Sequence, residues 1–217
     1  MERSYSLRVI ASEDIPEVID FLSRFFFRDE PLNIETGMDL DYSIRCPEME
    51  AYCTNSIPEG NSVMAYSNTN EVVGVCLSGG VRRNEQKDSS ECTNDKFRKV
   101  MNLLIESDRQ TDIFSRYPKL DSLLDVKIIS VDTNWRGMGI CKALLEKTRE
   151  VAKEQGFQVV KVDCTSHISA LAVSRLGFER IHVLKYCEFF DGGSEPVFKP
   201  PPPHFGVQVY IFKLDDI

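Results

Sequence analysis

A glycine-bearing turn in the middle of the chain has the residues of an anion-binding site. Arg136, Gly137 and Gly139 lie between a β-branched run and an amphipathic stretch. Two glycines let the backbone turn tightly and leave its N–H groups accessible to a ligand. The first N–H groups of a helix suit a phosphate or pyrophosphate, and Arg136 adds a positive charge. The alternative is an ordinary strand-to-helix turn, and this stretch alone leaves both interpretations open.

Two carboxylates nearer the amino terminus are candidates for proton transfer. Asp29 and Glu30 follow the aromatic run 25–27 and precede Pro31. A carboxylate against aromatic rings loses hydration, which raises its proton affinity and makes it a better general base. Acidic residues near a helix end are more often simply solvated, so the position alone leaves this alternative open too.

A strand and a helix position the anion turn between them. The β-branched residues of 126–131 predict a strand that ends at the turn. After the turn, apolar residues at three- and four-residue spacing predict a helix that ends near Gly156. The apolar face that we expect to pack on the sheet consists of Ile140, Ala143, Leu144, Thr148, Val151 and Ala152.

The remaining segments alternate between strand and helix patterns. Runs 61–67 and 71–81 predict a hairpin, because asparagines lie in the turn between them. The polar segment 83–95 predicts a surface loop. Further strands are predicted at 5–10, 158–164, 178–186 and 207–214, and helices at 12–28 with Ser12 as the N-cap, at about 38–56 with a break at Pro47, at 97–105 and at 169–176.

The order of these elements predicts the fold class. The helix between two consecutive strands makes a β-α-β unit, which implies a parallel pair of strands. The antiparallel hairpin requires a mixed sheet. We therefore predict an α/β protein (an α+β mixed sheet) with helices on its faces, and a single domain over residues 1–217.

The composition is globular and acidic. Of 217 residues, 42% are hydrophobic and 28% are charged, and the formal net charge is −8. This disfavours nucleic-acid binding, which needs a basic stripe, and fits a cationic small molecule. The chain has no apolar run of roughly 18 residues and no signal-like start, so we expect a cytoplasmic protein without a membrane partner. The seven cysteines have neither disulfide nor metal-site spacing, and we expect free thiols and no metal.

The central stretch resembles the GNAT superfamily of acetyl-CoA-dependent N-acetyltransferases. The similarity lies in SVDTNWRGMGICKALL, in the strand VVKVDC and in the helix that ends with SRLGF. It implies the GNAT acyl-CoA N-acyltransferase fold, in which a turn of pattern R-x-x-G-x-[GA] binds the CoA pyrophosphate. Cys141 stands where this pattern has Gly or Ala, and its small side chain is interpreted as a tolerated substitution.

Three more segments resemble the insect arylalkylamine N-acetyltransferases, so that the resemblance covers nearly the whole chain. They are DEPLN at 29–33, CTSHIS at 164–169 and KPPPPHFG at 199–206. The resemblance implies a monomer that acetylates a small arylalkylamine of the dopamine, serotonin and tyramine class. Histamine, polyamines or a protein lysine are alternative acceptors, and a non-catalytic CoA-binding domain is a further alternative.

The same resemblance assigns roles on the acceptor side. Glu30 matches the family's proposed catalytic glutamate, which takes the amine proton directly or through a water. Ser169 matches one of two family serines near the leaving thiolate, and Thr165 occupies the position of the other, where it keeps the hydroxyl but adds a methyl group. Helix capping is the alternative role of both residues. His204 matches a histidine discussed as a proton handler or acceptor-site residue.

On the cofactor side, the resemblance implies a set of residues that contact acetyl-CoA. The backbone N–H of Val131 is the candidate donor to the tetrahedral oxyanion, at the place where the parallel strands splay apart. An ordinary surface position is the alternative for Arg175. The full set is Ile129, Val131, Arg136, Gly137, Met138, Gly139, Ile140, Cys141 and Arg175.

Overall fold

A mixed sheet of seven strands forms the centre of the computed structural model, which describes residues 4–38, 46–85 and 87–215. The strands are β1 (Tyr5–Val9), β2 (Val63–Ser67), β3 (Val72–Arg82), β4 (Ser122–Val131), β5 (Val159–Cys164), β6 (Glu179–Lys185) and β7 (Gly206–Lys213). Their order across the sheet is β1-β2-β3-β4-β5-β7-β6. Strands β4 and β5 are parallel neighbours, and the other neighbouring pairs are antiparallel. The predicted mixed sheet is confirmed.

Helices cover both faces of this sheet. They are α1 (Ile15–Phe25), α2 (Pro31–Thr36), α3 (Pro47–Thr54), α4 (Asp95–Thr111), α5 (Ile113–Arg116), α6 (Ile140–Glu154) and α7 (His167–Arg175). Residues of α6 and α7 share one apolar cluster with the strands, and residues of α1 to α4 share another. The two clusters lie on opposite faces because alternate strand side chains point to opposite sides.

The central helix is confirmed at its predicted position. Its buried side chains are Ile140, Leu144, Leu145, Thr148, Val151 and Ala152. Ala143, predicted to face the sheet, is only half-buried, whereas Leu145 was not predicted. The start of α6 packs closely on β3, because a Cβ on Gly74 would come within 2.9 Å of the Ile140 side chain. This contact fixes the anion turn against the sheet.

Strands β4 and β5 open towards their carboxyl ends. Their pairing runs only from Leu124 opposite Val160 to Val126 opposite Val162, although β4 continues to Val131. Pairing with β3 skips Lys127, which is therefore a bulge residue on β4. A bulge bends its strand, and here β4 parts from β5 just beyond it. The predicted splaying of the parallel strands is confirmed.

Several predicted boundaries were wrong. Ser12 is not the N-cap of α1, because 12–14 form a 3-10 turn in which the Asp14 carboxylate accepts the Ala11 N–H at 2.8 Å. Helix α1 ends at Phe25, and the short helix α2 then follows, which was not predicted. The helix predicted at 38–56 is observed only as α3, which starts at Pro47; residues 39–45 lie outside the described part.

The loop after β3 is polar, as predicted, but its lysine is partly buried. Lys87 forms ion pairs with Asp108 at 2.7 Å and with Asp125 at 2.9 Å. Lys161 on β5 contacts the same two carboxylates and Asp163 at 2.6 Å. We call these five residues the buried ionic cluster. It joins the loop and α4 to the middle of the sheet.

Candidate active site

Glu30 occupies the start of α2, directly before Pro31. Its Oε2 accepts hydrogen bonds from the backbone N–H groups of Leu32 at 2.6 Å and Asn33 at 2.9 Å, so the carboxylate is the N-cap of this helix. Glu30 is only 9% exposed. The solvated alternative considered for this carboxylate is therefore wrong, and the expected desolvation is observed.

The other oxygen of this carboxylate is held from across the molecule. Thr165, which directly follows β5, donates its Oγ1 hydrogen to Glu30 Oε1 at 2.7 Å. Burial raises the pKa of Glu30, although the hydrogen bonds from Thr165, Asn33 and Leu32 act in the opposite direction. The site therefore contains an oriented carboxylate with increased affinity for a proton.

The turn between β5 and α7 brings several hydroxyl groups together. Ser166 is the N-cap of α7, and its Oγ accepts the Ser169 N–H at 3.0 Å. Ser169 donates its hydroxyl hydrogen to Ser166 O at 2.9 Å. The Tyr186 hydroxyl donates to Thr165 O at 2.5 Å. The capping role thus belongs to Ser166, whereas Thr165 contacts the candidate base and Ser169 lies one helical turn further along.

His204 joins this turn from the proline-rich segment. Its Nδ1 accepts the backbone N–H of His167, the first residue of α7, at 3.2 Å. Burial lowers the pKa of His204, and the neighbouring His167 lowers it further, so the imidazole is mainly neutral at pH 7. The structure therefore brings Glu30, Thr165, Ser169 and His204 to the carboxyl end of β5.

The anion turn has the predicted geometry. Gly137 and Gly139 have φ angles of 81° and 79°, which side chains rarely adopt. A Cβ on Gly137 would meet no atom within 4 Å, so this part of the turn is open. Helix α6 starts at Ile140, and its first N–H groups have no acceptor within the helix. These features fit a pyrophosphate ligand.

Arg136 links the turn to the loop that carries Glu30. Its Nη2 contacts Asp29 Oδ2 at 2.7 Å, and its Nε contacts Val131 O at 3.4 Å. Both side chains of the ion pair are about half exposed, at 53% and 48%. This pair was not predicted. It places the neighbour of Glu30 beside the residues predicted to hold the CoA phosphates.

The end of β4 presents backbone N–H groups to the opened strand pair. Asp132 donates its N–H to Val73 O on β3, at 3.0 Å. Because successive N–H groups of a strand point in opposite directions, those of Val131 and Ile129 point away from β3, towards the side where β5 has parted. The predicted oxyanion donor therefore has the orientation that its role requires.

Cys141 and Arg175 were both predicted to contact the cofactor, and their surroundings differ from those of the anion turn and the end of β4. The Cys141 side chain packs against the apolar cluster beneath α6, and burial raises its pKa to about 11. Arg175 is exposed in the last turn of α7, about 12 Å along the helix from its first residue. Its contact with the CoA phosphates stays a prediction.

Tyr186 is the residue of this region that sequence reasoning missed. It ends the predicted strand 178–186, and a single aromatic residue there gives no signal of a role. Only the fold shows that its hydroxyl reaches Thr165, which is 21 positions away.

Within 4–38, 46–85 and 87–215, no helix is long and apolar enough to cross a membrane. In the same ranges, no group of three or more His, Cys, Asp or Glu side chains is arranged to hold a metal ion.

The parallel pair that opens beside a glycine turn and a helix start agrees with the acyl-CoA N-acyltransferase fold that the resemblance implied. The model of the Acetyltransferase (GNAT) family matches residues 21–178, and the chain belongs to this family. The predicted GNAT fold is thereby confirmed, and the protein is an N-acetyltransferase with acetyl-CoA as its co-substrate.

Solved structures show the same fold over nearly the full chain. Arylalkylamine N-acetyltransferase 2 from Aedes aegypti is similar, with 30% identity, a TM-score of 0.88, and coverage of 98% of this chain and 100% of the other. A polyamine N-acetyltransferase of Drosophila melanogaster, which forms N-acetylagmatine, has 26% identity, a TM-score of 0.89, and coverage of 97% and 100%. Both kinds of acceptor therefore occur among similar proteins.

Proposed function

We propose that this enzyme acetylates the primary amine of a small arylalkylamine of the dopamine, serotonin and tyramine class. The observation that carries the proposal is the buried Glu30 carboxylate, held by Thr165 and two backbone N–H groups. An amine of pKa about 10 is neutral in only about one molecule in a thousand at pH 7. A carboxylate whose pKa is raised by burial is suited to remove the proton that blocks attack.

The proposed reaction is direct transfer in a ternary complex. The Glu30 carboxylate takes one proton from the ammonium group, directly or through a water, and the nitrogen lone pair attacks the thioester carbonyl carbon. The resulting oxyanion accepts the N–H of Val131. The oxyanion reforms the carbonyl as the carbon–sulfur bond breaks, and the electron pair of that bond leaves with the sulfur of CoA. The second proton of the nitrogen passes to this thiolate, which gives the amide and the free thiol of CoA. Ser169 is the proposed hydroxyl near the leaving thiolate, and His204 is a proposed proton handler or acceptor-site residue.

Acetyl-CoA is proposed to bind along the opened end of β4. The N–H groups of the turn 136–140 and the Arg136 guanidinium hold the pyrophosphate in this proposal, with Ile129 and Val131 beside the pantetheine. The Arg175 guanidinium is an outer phosphate contact. Cys141 supports the turn from beneath by packing, which agrees with its burial.

Three exposed apolar side chains are close in sequence to candidate site residues. Ile34 on α2, Ile168 beside His167, and Phe205 beside His204 are exposed by 47%, 71% and 43%. An aryl group would be a suitable partner for exposed apolar side chains. The similarity to the Aedes aegypti arylalkylamine enzyme also supports this class.

An agmatine or polyamine acceptor is the second candidate, because a similar structure is an enzyme that forms N-acetylagmatine. A second carboxylate would be a favourable partner for its distal cation. Asp29 and Glu35 lie near α2, but Asp29 pairs with Arg136, and Glu35 Oε1 accepts the Lys199 N–H at 3.1 Å. These existing contacts favour the aryl acceptor.

Domain organisation, oligomeric state and location are also part of the proposal. Residues 1–217 are proposed to form a single domain that acts as a cytoplasmic monomer, without nucleic-acid or membrane partners. The single seven-stranded sheet supports the proposed domain.

A thiol-release assay with acetyl-CoA tests the acceptor class. The panel contains dopamine, serotonin, tyramine, histamine, agmatine and spermidine, and we expect the highest kcat/KM with an arylalkylamine. A preference for agmatine or spermidine would establish the second candidate, and no release with any amine would contradict both. Parallel lines in double-reciprocal plots would contradict the ternary complex.

A further inference from the structure

Tyr186 holds the turn from which Thr165 reaches the base. Its side chain is 3% exposed and packs beside the Phe198 ring, with ring centroids 6.2 Å apart. Its hydroxyl donates to Thr165 O at 2.5 Å, and its backbone N–H donates to Phe205 O at 3.0 Å. One residue thus connects the end of β6, the segment before β7 and the end of β5.

The geometry points to Tyr186 as a positioning residue for the Glu30 carboxylate. Tyr186 acts on this carboxylate through Thr165. The chain of contacts runs from the Tyr186 hydroxyl to the Thr165 carbonyl, and from the Thr165 hydroxyl to Glu30 Oε1. The inference rests on the proposed role of Glu30 as the base.

The backbone position of Thr165 explains why a tether is needed there. Thr165 is the first residue after β5, and Ser166 then begins the cap of α7, so neither a strand ladder nor a helix fixes the Thr165 carbonyl. The Tyr186 hydroxyl provides the missing partner. Without it, this partly buried carbonyl loses its donor within the protein, and the turn is free to shift.

The protonation state of Tyr186 suits a permanent donor. Burial raises its pKa well above the usual value, and the negative charge of Glu30 raises it further. The phenol therefore keeps its hydrogen across the pH range of an assay. Tyr186 and Glu30 share no hydrogen bond, and Thr165 makes the direct contact with each of them.

The pH profile of kcat/KM distinguishes a positioning role of Tyr186 from a role in packing alone. The hydrogen bond from Thr165 lowers the pKa of Glu30 against the effect of burial. Loosening that bond raises the pKa, so the acidic limb of kcat/KM moves to higher pH. A residue with only a packing role would lower activity or stability without moving this limb.

The test compares Tyr186→Phe with Tyr210→Phe in the full chain, using the preferred amine. Tyr210 is the matched control because it is also buried, at 6% exposure, and its hydroxyl contacts Gln208 at 3.4 Å rather than Thr165. For Tyr186→Phe we expect kcat/KM to fall about tenfold, with most of the loss in kcat, and the acidic limb to rise by about half a pH unit. Tyr210→Phe should change neither, and urea unfolding establishes that both variants are folded.

A double-mutant cycle with Thr165→Val tests the route through Thr165. Thr165→Val should raise the acidic limb further, and adding Tyr186→Phe should move it no more, whereas Thr165→Ser should restore the wild-type limb. An unmoved acidic limb in Tyr186→Phe, an additive shift in the double variant, or an equal shift in Tyr210→Phe would overturn the inference. If Glu30→Gln retains wild-type activity, the proposed role of Glu30 as the base is wrong. If Glu30→Gln is inactive but Tyr186→Phe has the wild-type pH profile, only the positioning role of Tyr186 is wrong.

Discussion

The Thr165 hydroxyl donates a 2.7 Å hydrogen bond to the Glu30 carboxylate, across 135 positions of the chain. Glu30 begins a short helix after α1, and Thr165 follows the parallel strand β5. The contact therefore fixes the distance between the loop that carries the proposed base and the opened end of the sheet. Orientation of this kind is worth more to a proton transfer than the strength of the bond itself.

Replacing Glu30 by Gln should remove activity without unfolding the protein. The amide keeps an oxygen for the Leu32 and Asn33 N–H groups, but it cannot take the amine proton. We expect kcat/KM to fall by about 10²–10⁴ and the acidic limb of the pH profile to disappear. Steady-state kinetics from pH 5 to 9 measure both.

Glu59→Gln is the matched control for this substitution. The Glu59 carboxylate also accepts a backbone N–H, that of Gly80, at 2.7 Å, but it lies in the 3-10 turn that precedes β2. Its variant should retain wild-type kinetics. An intact acidic limb in Glu30→Gln would show that another group is the base.

The elements around the anion turn could be predicted from sequence because local signals determine them. The helix α6 follows from its apolar spacing and ends just before Gly156, whose φ is 82°. The short helix α2 could not be predicted in this way. It has six residues, and its stability comes from the Glu30 cap and the burial of Leu32, both of which require the tertiary structure.

The same distinction applies to the site. The glycine turn and Glu30 were predicted by motif and resemblance, whereas the partners of Glu30 and Arg136 depend on distant contacts. Lys87 shows most clearly what could not be predicted from the sequence. Its polar surroundings in sequence indicate a surface loop, yet the fold places its ammonium group between two carboxylates of the sheet and α4.

Arg136→Ala should weaken binding of acetyl-CoA and leave stability nearly unchanged. A charged hydrogen bond to a phosphate is worth about 1.5–3 kcal/mol, so we expect the KM for acetyl-CoA to rise at least about tenfold. The ion pair with Asp29 is half exposed and contributes less than about 1 kcal/mol to folding. Arg24→Ala removes another exposed pair, with Asp20, and should leave this KM unchanged. An unaltered KM in Arg136→Ala would contradict the assigned phosphate contact.

Lys161→Met should destabilise the protein strongly. Lys161 is 3% exposed and contacts the carboxylates of Asp108, Asp125 and Asp163. Removing it leaves buried carboxylates with too little positive charge, which costs about 3–5 kcal/mol of unfolding free energy. Urea unfolding at pH 7 measures the loss. Lys185→Met breaks only the exposed pair with Glu188 and should cost less than about 1 kcal/mol, and an equal loss in both variants would refute the expected importance of burial.

Asp163→Asn should change how stability depends on pH. Burial raises the pKa of Asp163 to about 6, with Lys161 acting in the opposite direction and Asp108 adding to the increase. The folded state thus binds this proton more tightly than the unfolded state. The resulting stabilisation is full below about pH 4 and is lost as the pH rises through about 6, by at most about 3 kcal/mol.

Asparagine stays neutral, so the unfolding free energy of the variant should decline less between pH 4 and 7 than that of the wild type. Asp121→Asn is the control, because its side chain is 97% exposed and its pairing is weak at 4.0 Å. Denaturant unfolding at several pH values measures both variants. A decline in Asp163→Asn that is as steep as in the wild type would assign the pH dependence to another group.

Alkylation should distinguish packing from cofactor contact at Cys141. Its pKa of about 11 leaves only about one thiol in ten thousand as the reactive thiolate at pH 7, and its side chain packs beneath α6. We expect iodoacetamide to modify the exposed Cys187 first, without loss of activity, as mass spectrometry over time will show. Cys187→Ser should then resist labelling under the same conditions, and Cys141→Ala should bind acetyl-CoA as the wild type does. If Cys141 is instead labelled rapidly, and acetyl-CoA prevents this labelling, the thiol lies in the phosphate site. The Cys141 side chain, larger than the Gly or Ala of the family pattern, would then limit how closely the pyrophosphate approaches the start of α6.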